Sequence, residues 1–410
     1  MENMEFRFTL PGKRVHGKKT VCGVVGSGNL EVIIEENTTS ETIFMIQTAV
    51  DHYKPVWKMV IGDFVNQHKP VGLQFTLNDN GAIPAVVLLR LAQALEEFQG
   101  NYKIGNNYEG LSARERIQVI FDKDSFTEWL ADEKLYSPYL AALGLPGEAD
   151  DGIVIGSALL QKNKVLVAAQ QKDFMGGGVG EIHGAKLTGL FKAAIAIQAK
   201  AVILLIDSGG VRLHEANAGE ISISETIRAV FEARHQGITT IGVVCGKNGA
   251  FGGMGIISAC LDYLVINELG RIGVSGPEVI QAVAGIKAFN SQDRALVWRV
   301  YGGKTRYLQD VAQSYVGSDV TAIRTQLISA LDKNVPLDLN SLKQKQTLLK
   351  KRFQDTQGYQ EEGTYLTKVA PKYAVTLFDM GEQEFLKAAK NIKKKLVIHC
   401  RLRAPRLQSI

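Results

Sequence analysis

The sequence predicts an α/β protein with two folded parts and a helical C-terminal extension. Its 410 residues exceed the roughly 250–300 at which one hydrophobic core stops growing. Residues 201–206 are apolar and β-branched, as in a buried strand, and they lead through Gly209 and Gly210 into an amphipathic helical pattern over 219–236. Residues 239–246 repeat the pattern and are again followed by glycines and an apolar helix. Such repeated strand–turn–helix units predict a parallel sheet with right-handed crossovers.

Residues 1–99 predict a small α/β module. Four segments have strand patterns, and the second contains a Gly-Ser-Gly-Asn hairpin turn. The predicted strands are FRFTL, KKTVCGVVGSGNLEVIIEE, TIFMIQTAV and GLQFTLND. Helices are predicted over residues 55–68 and 84–98, the second of which begins with a proline. Residues 100–110 are rich in glycine and asparagine and lack periodicity, which predicts a linker.

Residues 111–335 predict the larger α/β domain. A mixed helical pattern comes first, strands begin near Asp151, and glycine-rich turns follow several of them. In an open parallel sheet, ligands bind beyond the carboxyl ends of the strands, which is where these turns fall. Residues 336–410 are rich in lysine and begin with a helical pattern, and the sequence assigns this C-terminal extension no role.

The composition disfavours several classes of protein. The net charge is +5, without the concentrated basic face and interleaved aromatics of a nucleic-acid-binding protein. The four cysteines lie far apart without a CxxC pair, so neither a metal site nor a disulfide framework is expected. Cys245 and Cys260 are predicted to be buried thiols. No charged-then-apolar leader and no run of eighteen apolar residues occurs, so a cytoplasmic location is expected.

The two glycine turns form the first candidate site. A strand that ends in paired glycines leaves backbone N–H groups unpaired, and without a Cβ a ligand oxygen can approach them closely. Two such turns on neighbouring parallel strands can point two amides at one atom, as in an oxyanion hole. The first turn contains Gly209 and Gly210, and the second contains Gly249, Gly252, Gly253 and Gly255.

A third glycine-rich stretch, FMGGGVGEIHG, precedes a predicted helix. The backbone amides of Gly176, Gly177 and Gly178 are candidates for binding a phosphate of a cofactor. Close packing of the turn against neighbouring helices explains a single glycine-rich loop equally well. Three glycine turns at one end of the same sheet favour a binding role.

Three polar residues near these turns are further candidates for substrate binding. His183 and His214 are candidate acid–base groups, although a histidine near a helix start more often has a structural role. Arg212 directly follows the first turn, where its guanidinium could hold a carboxylate with two hydrogen bonds. The alternative for Arg212 is a structural ion pair with Glu215 or Glu220. No GxSxG motif is present, which disfavours hydrolysis through a serine nucleophile.

Residues 111–335 resemble the β subunit of the biotin-independent malonate decarboxylase family, in the carboxyltransferase branch of the crotonase-like superfamily. The resemblance rests on four motifs in the expected order, FMGGGVGEIHGAK, IDSGGVRLHEANAGE, GAFGGMG and GRIGVSGPEVI, and RALVWRVYGGKTRYL also fits. It implies a crotonase-like fold of ββα repeats and a reaction in which a malonyl thioester loses carbon dioxide. On the superfamily analogy, the resulting enolate oxygen would lie between the amides of Gly209 or Gly210 on the first turn and Gly252 or Gly253 on the second, which are the predicted catalytic donors. Neither biotin nor a metal is implied.

Residues 1–99 resemble another subunit of the same family, the small acyl carrier (δ) subunit. The matching segment is CGVVGSGNLEVIIE, in which Ser27 has the position of the serine that carries a phosphoribosyl-dephospho-coenzyme A arm. On spacing alone, Ser27 is better explained as part of an ordinary hairpin turn. The two subunits are normally separate chains, so their fusion through residues 100–110 departs from the family.

The resemblance also implies partners. In this family the β subunit pairs with a related γ subunit, an α subunit exchanges acyl groups on the carrier, and a transferase attaches the prosthetic group. No γ-like second sheet domain is evident in the sequence, so the chain alone is expected to be an incomplete catalyst. One alternative is the carboxyltransferase subunit of an acyl-CoA carboxylase. The carrier-like module argues against this alternative, because it contains no Met-Lys-Met biotin motif. The other is a non-catalytic scaffold.

Overall fold

The architecture is that of a computed structural model in which the chain divides into two compact units, Met1–Ile104 and Gly105–Ile410. The structure describes residues 2–401 except positions 18, 24–27, 29, 49, 51, 80, 101–106, 132–136, 144–149, 173, 336, 356, 358–369 and 374–375. Within these described residues, no helix is both long enough and apolar enough to cross a lipid bilayer.

The first unit is a five-stranded mixed sheet with two helices. Its elements in chain order are β1 (Glu2–Phe8), β2 (Thr20–Gly23), β3 (Leu30–Glu36), β4 (Thr42–Thr48), α1 (Lys54–His68), β5 (Leu73–Asp79) and α2 (Pro84–Phe98). The strand order is β1-β4-β5-β3-β2, with β4 and β5 parallel and the other pairs antiparallel. Phe64 of α1 packs against Phe44 of β4 and Phe75 of β5. The strands and both helices predicted for this module are confirmed, whereas most of the predicted Gly-Ser-Gly-Asn turn lies outside the described residues.

The second unit is a seven-stranded sheet with helices on both faces. Its strands are β6 (Thr127–Trp129), β7 (Ile153–Leu160), β8 (Asn163–Gln170), β9 (Ala201–Leu205), β10 (Thr239–Val244), β11 (Tyr263–Ile266) and β12 (Ser314–Tyr315). Its helices are α3 (Ala113–Ile120), α4 (Pro138–Ala142), α5 (Glu181–Ala196), α6 (Ala216–His235), α7 (Gly252–Cys260), α8 (Pro277–Ala284), α9 (Arg294–Tyr301), α10 (Gly303–Leu308), α11 (Val320–Ala330), α12 (Leu339–Asp355) and α13 (Glu382–Arg401). The strands lie in numerical order across the sheet.

Strand β9 lies at the centre of this sheet, and each of its residues is buried. Successive side chains of a strand point to opposite faces. Val202 and Leu204 therefore pack in a layer with α5 and α6, whereas Ile203 and Leu205 pack in a layer with α3 and α11. Burial on both faces explains why 201–206 is a continuous apolar run. The predicted parallel pairing holds from β8 to β12, while β6 and β7 are antiparallel additions.

The two cysteines predicted to be buried differ in exposure. Cys245 is fully buried at the end of β10, and burial raises the pKa of its thiol above the ordinary range. Cys260 is only partly buried at the end of α7. The prediction is confirmed for Cys245 and holds in part for Cys260.

The C-terminal helix α13 is integral to the second unit, although the sequence assigned the extension no role. Phe385, Ala388, Ala389 and Ile392 are buried in the core that also contains β9. The Phe385 ring centroid lies 4.8 Å from that of Tyr315 on β12. Spacings of three and four residues form the apolar stripe by which a helix packs on a core. This stripe was present in the sequence and marks the helix as a structural element.

The segment predicted as a linker is folded at its C-terminal end. Tyr108 is fully buried, and its backbone N–H donates to the Ser318 carbonyl oxygen at 3.0 Å. The guanidinium of Arg116 lies 4.3 Å from the centroid of the Tyr108 ring. Residues 101–106 lie outside the described residues. The second unit thus begins before residue 111, where the sequence placed its start.

Candidate active site

The two glycine turns pack directly against each other at the carboxyl ends of β9 and β10. These strands are parallel neighbours, so their ends lie side by side. The Ser208 N–H donates to the Gly249 carbonyl oxygen at 2.8 Å, and a Cβ added to Gly252 would lie 3.2 Å from the Gly210 Cα. Gly210 and Gly252 both have positive φ angles, 135° and 54°. Glycine is therefore required for this close approach.

Most of the predicted donor amides already have acceptors. The Gly209 N–H donates to the Gly176 carbonyl oxygen at 2.9 Å. The Gly210 N–H donates to the Ser208 hydroxyl at 3.2 Å, and the Gly252 N–H donates to the Val274 carbonyl oxygen at 2.9 Å. Among the described residues, the N–H groups of Val211 and Gly253 have no acceptor. Gly253 lies in the first turn of α7, where N–H groups lack intrahelical partners. The free donor on the first turn therefore belongs to Val211, which the sequence analysis missed.

Val211 and Gly253 lie close together across the two turns. The Val211 nitrogen lies 3.6 Å from the position that a Cβ on Gly252 would take. A Cβ on Gly253 would lie 3.0 Å from the Val211 Cγ2. These two unpartnered amides, with the N-terminal end of α7 behind one of them, favour negative charge between the turns. The arrangement can stabilise an oxyanion.

The third glycine stretch supports the first turn by packing. Gly176 and Gly177 have positive φ angles of 64° and 70°, and a Cβ on Gly177 would lie 2.0 Å from the Asp207 carbonyl oxygen. The N–H groups of Gly177 and Gly178 donate to carbonyls within the loop, at 2.9 Å and 3.1 Å. These glycines let the loop lie against the first turn. Their predicted binding of a cofactor phosphate remains a prediction.

Arg212 is buried in an ion-pair cluster rather than exposed to a ligand. Its Nη1 donates to Asp151 Oδ1 at 2.8 Å and to Glu215 Oε1 at 3.0 Å, and its Nη2 donates to the Asp151 carbonyl at 2.7 Å. The guanidinium also lies 4.9 Å from the Phe174 ring centroid. Burial raises the pKa of Asp151, and the charge of Arg212 opposes that rise. The ion pair with Glu215 was the alternative in the sequence analysis, whereas the Asp151 contact was not anticipated.

The two candidate histidines have opposite environments. His183, in the first turn of α5, is fully buried, whereas His214 is exposed in a short 3₁₀ segment. Gln170 Oε1 accepts the Asp207 N–H at 2.9 Å, so the Gln170 Nε2 donates to His183 Nε2 at 3.1 Å. Burial, together with the charges of Arg212 and Lys186, lowers the pKa of His183 well below its usual range. The imidazole is therefore neutral at physiological pH, which favours a structural role.

This burial predicts a pH dependence of stability. The pKa of His183 is lower in the folded than in the unfolded state, so the unfolded state binds more protons below about pH 6.5. The contribution of the buried His183 imidazole to the free energy of unfolding is present in full above that pH. It decreases on acidification by about 1.4 kcal/mol per pH unit between the two pKa values. In H183Q, the new side-chain amide oxygen can still accept a hydrogen bond from Gln170. This pH dependence should then be absent when the free energy of unfolding is measured by denaturant unfolding at several pH values. H214Q is the matched control, and an unchanged slope in H183Q would contradict a buried neutral imidazole.

A second buried ion pair, between Arg116 and Asp207, connects the two glycine turns. Arg116 Nη2 donates to Asp207 Oδ2 at 2.8 Å, and both side chains are buried. The other carboxylate oxygen of Asp207 accepts the Asn248 N–H at 2.6 Å. Asp207 therefore fixes the turn after β9 to the turn after β10. The only sequence signal for this pair was an acidic residue, Asp207, directly after an apolar strand. Its partner Arg116 lies 91 residues earlier, so the pairing could not be predicted.

Comparisons with known proteins match both parts of the chain. The family described as malonate decarboxylase delta subunit (MdcD) matches residues 17–98, and the carboxyl transferase domain family matches residues 107–351. The malonate decarboxylase acyl carrier protein of Burkholderia cepacia is 45% identical over 92 residues, which cover 22% of this chain and 85% of that protein.

The larger unit has relatives of known sequence and structure. The malonyl-S-ACP:biotin-protein carboxyltransferase MADC of Malonomonas rubra is 34% identical over 237 residues, covering 54% of this chain and 74% of that protein. A crystal structure of a Pseudomonas malonate decarboxylase hetero-tetramer in complex with malonate matches with a TM-score of 0.55 and 33% identity, covering 57% of this chain and 86% of that one. The chain therefore belongs to the carboxyl transferase domain family and joins to that domain, in one polypeptide, an acyl carrier module of the malonate decarboxylase delta-subunit family.

Proposed function

We propose that this chain is the carrier and decarboxylating component of a malonate decarboxylase. Its substrate is a malonyl thioester, and its products are carbon dioxide and the acetyl thioester. The observation that carries the proposal is the presence, in one chain, of a malonate decarboxylase carrier module and a carboxyl transferase domain with two free amides between its glycine turns. The malonate-bound Pseudomonas enzyme has a related domain.

The chemistry requires stabilisation of one oxygen atom. The bond between the carboxylate carbon and the methylene carbon breaks, and its electron pair moves through the methylene carbon onto the thioester oxygen. The Val211 and Gly253 N–H groups donate to that oxygen as negative charge develops on it. One such donor contributes about 10²–10³ in rate, or roughly 3–4 kcal/mol. A proton is then added to the methylene carbon to give the acetyl group.

Asp207 and Arg212 act as positioning residues in this proposal. Asp207 holds the two turns together through Arg116 and the Asn248 N–H. Arg212 anchors the segment immediately after the first free amide to Asp151 and Glu215. Preorganised donors need no rearrangement at the moment of reaction, which is the source of their effect.

The carrier module implies a prosthetic group on a serine. We assign this serine as Ser27 and the group as phosphoribosyl-dephospho-coenzyme A, whose thiol supplies the thioester linkage. Ser27 lies outside the described residues. Its neighbour Gly28, in the connection between β2 and β3, has a φ of 71° and is partly buried.

Peptide mapping by mass spectrometry tests the carrier assignment. The chain purified from its native cell should carry an adduct of phosphoribosyl-dephospho-coenzyme A mass on the Ser27 peptide, and S27A should carry none. Ser40, in the connection between β3 and β4 of the same module, is the control position. An unmodified Ser27 in cells that contain the prosthetic-group transferase would leave the module as a docking domain.

Partner subunits complete the proposed enzyme. The related Pseudomonas structure is a hetero-tetramer, and we propose that a γ subunit, an α acyltransferase subunit and a prosthetic-group transferase serve this chain. The Val274 carbonyl accepts the Gly252 N–H of the second turn, and the Val274 side chain is 66% exposed, so it is free to contact a partner.

A second candidate differs in the fate of the carboxyl group. The relative from Malonomonas rubra is named as a transferase of this group to a biotin protein. With carboxyl-labelled malonyl thioester, the decarboxylase releases labelled carbon dioxide without a biotin protein. Label that is retained until a biotinylated acceptor is added would establish the transferase instead.

A further inference from the structure

A cluster of positive charge borders the second glycine turn. Arg271 follows β11, and its backbone carbonyl accepts the Ala250 N–H at 2.8 Å. Its Nη2 donates to the Lys247 carbonyl oxygen at 2.7 Å. Its Cβ lies 3.2 Å from the position that a Cβ on Gly249 would take. The Arg271 side chain therefore lies along the same turn that leads to Gly253.

Aromatic rings hold this guanidinium in place. It lies 4.7 Å from the Trp298 ring centroid and 5.6 Å from that of Phe251. Arg294 also lies over Trp298, at 4.8 Å. Two guanidiniums thus share one indole ring, an arrangement that places like charges close together. Phe251 immediately precedes the two glycines of the second turn.

Arg271 has no carboxylate partner within the described residues. Its Nε is buried without a hydrogen-bond acceptor among them. Burial, followed by the charge of Arg294, lowers its pKa to about 10, while Glu278 and Asp207 oppose this shift from a distance. Asp207 is already paired with Arg116. A buried charge without a counterion is unfavourable, so the Arg271 guanidinium has unmet capacity for an anion.

We propose that Arg271 forms an anion-binding subsite that holds a carboxylate or phosphate group of the malonyl thioester. Contacts with the Trp298 and Phe251 rings hold the guanidinium in place, and it has no carboxylate partner among the described residues that an incoming anion would have to displace. Lys247, partly buried on the same turn, adds positive charge. A guanidinium is suited to planar recognition of either oxyanion. This inference rests on the proposed function, because it takes its ligand from that reaction.

Two soluble probes distinguish the two sources of the anion. Coenzyme A has phosphates and no carboxylate, whereas malonyl-pantetheine has a carboxylate and no phosphate. Binding of each probe to the 410-residue chain is measured by calorimetry and by tryptophan fluorescence, to which Trp298 contributes together with Trp57 and Trp129. Compared with wild type, R271M should weaken binding of at least one probe about tenfold or more, the value of a hydrogen bond to a charged group.

The matched control is R228M, which removes an arginine that is 60% exposed on α6 and should leave binding unchanged. Loss of coenzyme A binding alone identifies a phosphate subsite, and loss of malonyl-pantetheine binding identifies a carboxylate subsite. Equal affinities of wild type and R271M for both probes would overturn the proposal, as would the absence of any binding to wild type. If R271M does not fold, R271K provides the same test, because lysine lacks the planar, forked guanidinium that recognises oxyanions.

Thermal unfolding provides an independent readout. Either probe that binds should raise the Tm of wild type and of R228M, but not of R271M, since a ligand stabilises only the state that binds it. Equal shifts in wild type and R271M would contradict the subsite. These measurements need no turnover. An assembled enzyme that binds the probes through Arg271 but releases no carbon dioxide would disprove the proposed function and leave the subsite intact.

Discussion

Replacing Gly252 with alanine should lower kcat for decarboxylation by about 10²–10³-fold in the assembled enzyme, the loss expected for one oxyanion donor. The added methyl group would lie 3.2 Å from the Gly210 Cα and 3.6 Å from the Val211 nitrogen. The two turns must then separate, which moves apart the Val211 and Gly253 amides that we propose as the oxyanion donors. Initial rates with a malonyl thioester at saturation measure the effect.

The control for this variant is G237A. Gly237 also has a positive φ, 81°, but an added Cβ there would meet no atom within 4 Å. Alanine in this backbone region costs roughly 1–2 kcal/mol in either position, so both variants bear a similar conformational strain. G237A should retain wild-type kcat. If G252A had a kcat similar to that of G237A, the contact between the two turns would not be part of the catalytic site.

Replacing Arg212 with methionine should lower the free energy of unfolding by about 3–5 kcal/mol. The substitution leaves the carboxylates of Asp151 and Glu215 buried without their shared counterion. Methionine fills much of the volume, so the loss comes mainly from these uncompensated charges. Denaturant unfolding followed by tryptophan fluorescence measures it. An Arg212 that held substrate from an exposed position would produce a much smaller change in stability.

R114M is the matched comparison, because Arg114 also contacts two carboxylates, those of Glu128 and Asp150. Its side chain is 48% exposed, and exposed ion pairs contribute less than about 1 kcal/mol. The expected order of stability is therefore wild type, R114M, then R212M. Equal losses of stability in R114M and R212M would show that burial of the Arg212 cluster is not the source of its contribution to stability.

The glycine turns could be predicted because their signals are local. An apolar run that stops at paired glycines marks a buried strand and the turn after it, and repetition of this unit implies that the strands are parallel. The placement of Gly210 beside Gly252 follows from that pairing. The identity of the free amides could not be predicted in this way, because it depends on acceptors such as the Gly176 and Val274 carbonyls, which lie outside both turns in the sequence.

The residues that support the turns were not predictable for the same reason. Arg116 lies 91 residues from Asp207 and Asp151 lies 61 residues from Arg212. Each is an ordinary charged residue in its own segment, and only the folded chain shows that it is buried and paired. The role of Ser27 is a different case, since a serine in a predicted hairpin turn has no distinguishing physical signal and its assignment rests on resemblance.

The fate of a malonyl group carried on Ser27 tests the central proposal most directly. The full-length chain is loaded with malonyl thioester, mixed with its partner subunits, and the Ser27 peptide is followed by mass spectrometry. We predict that this peptide loses the mass of one carbon dioxide and keeps an acetyl group, while the chain without partners keeps the malonyl group. A malonyl group that remains on the wild-type peptide in the complete assembly would contradict the proposed function.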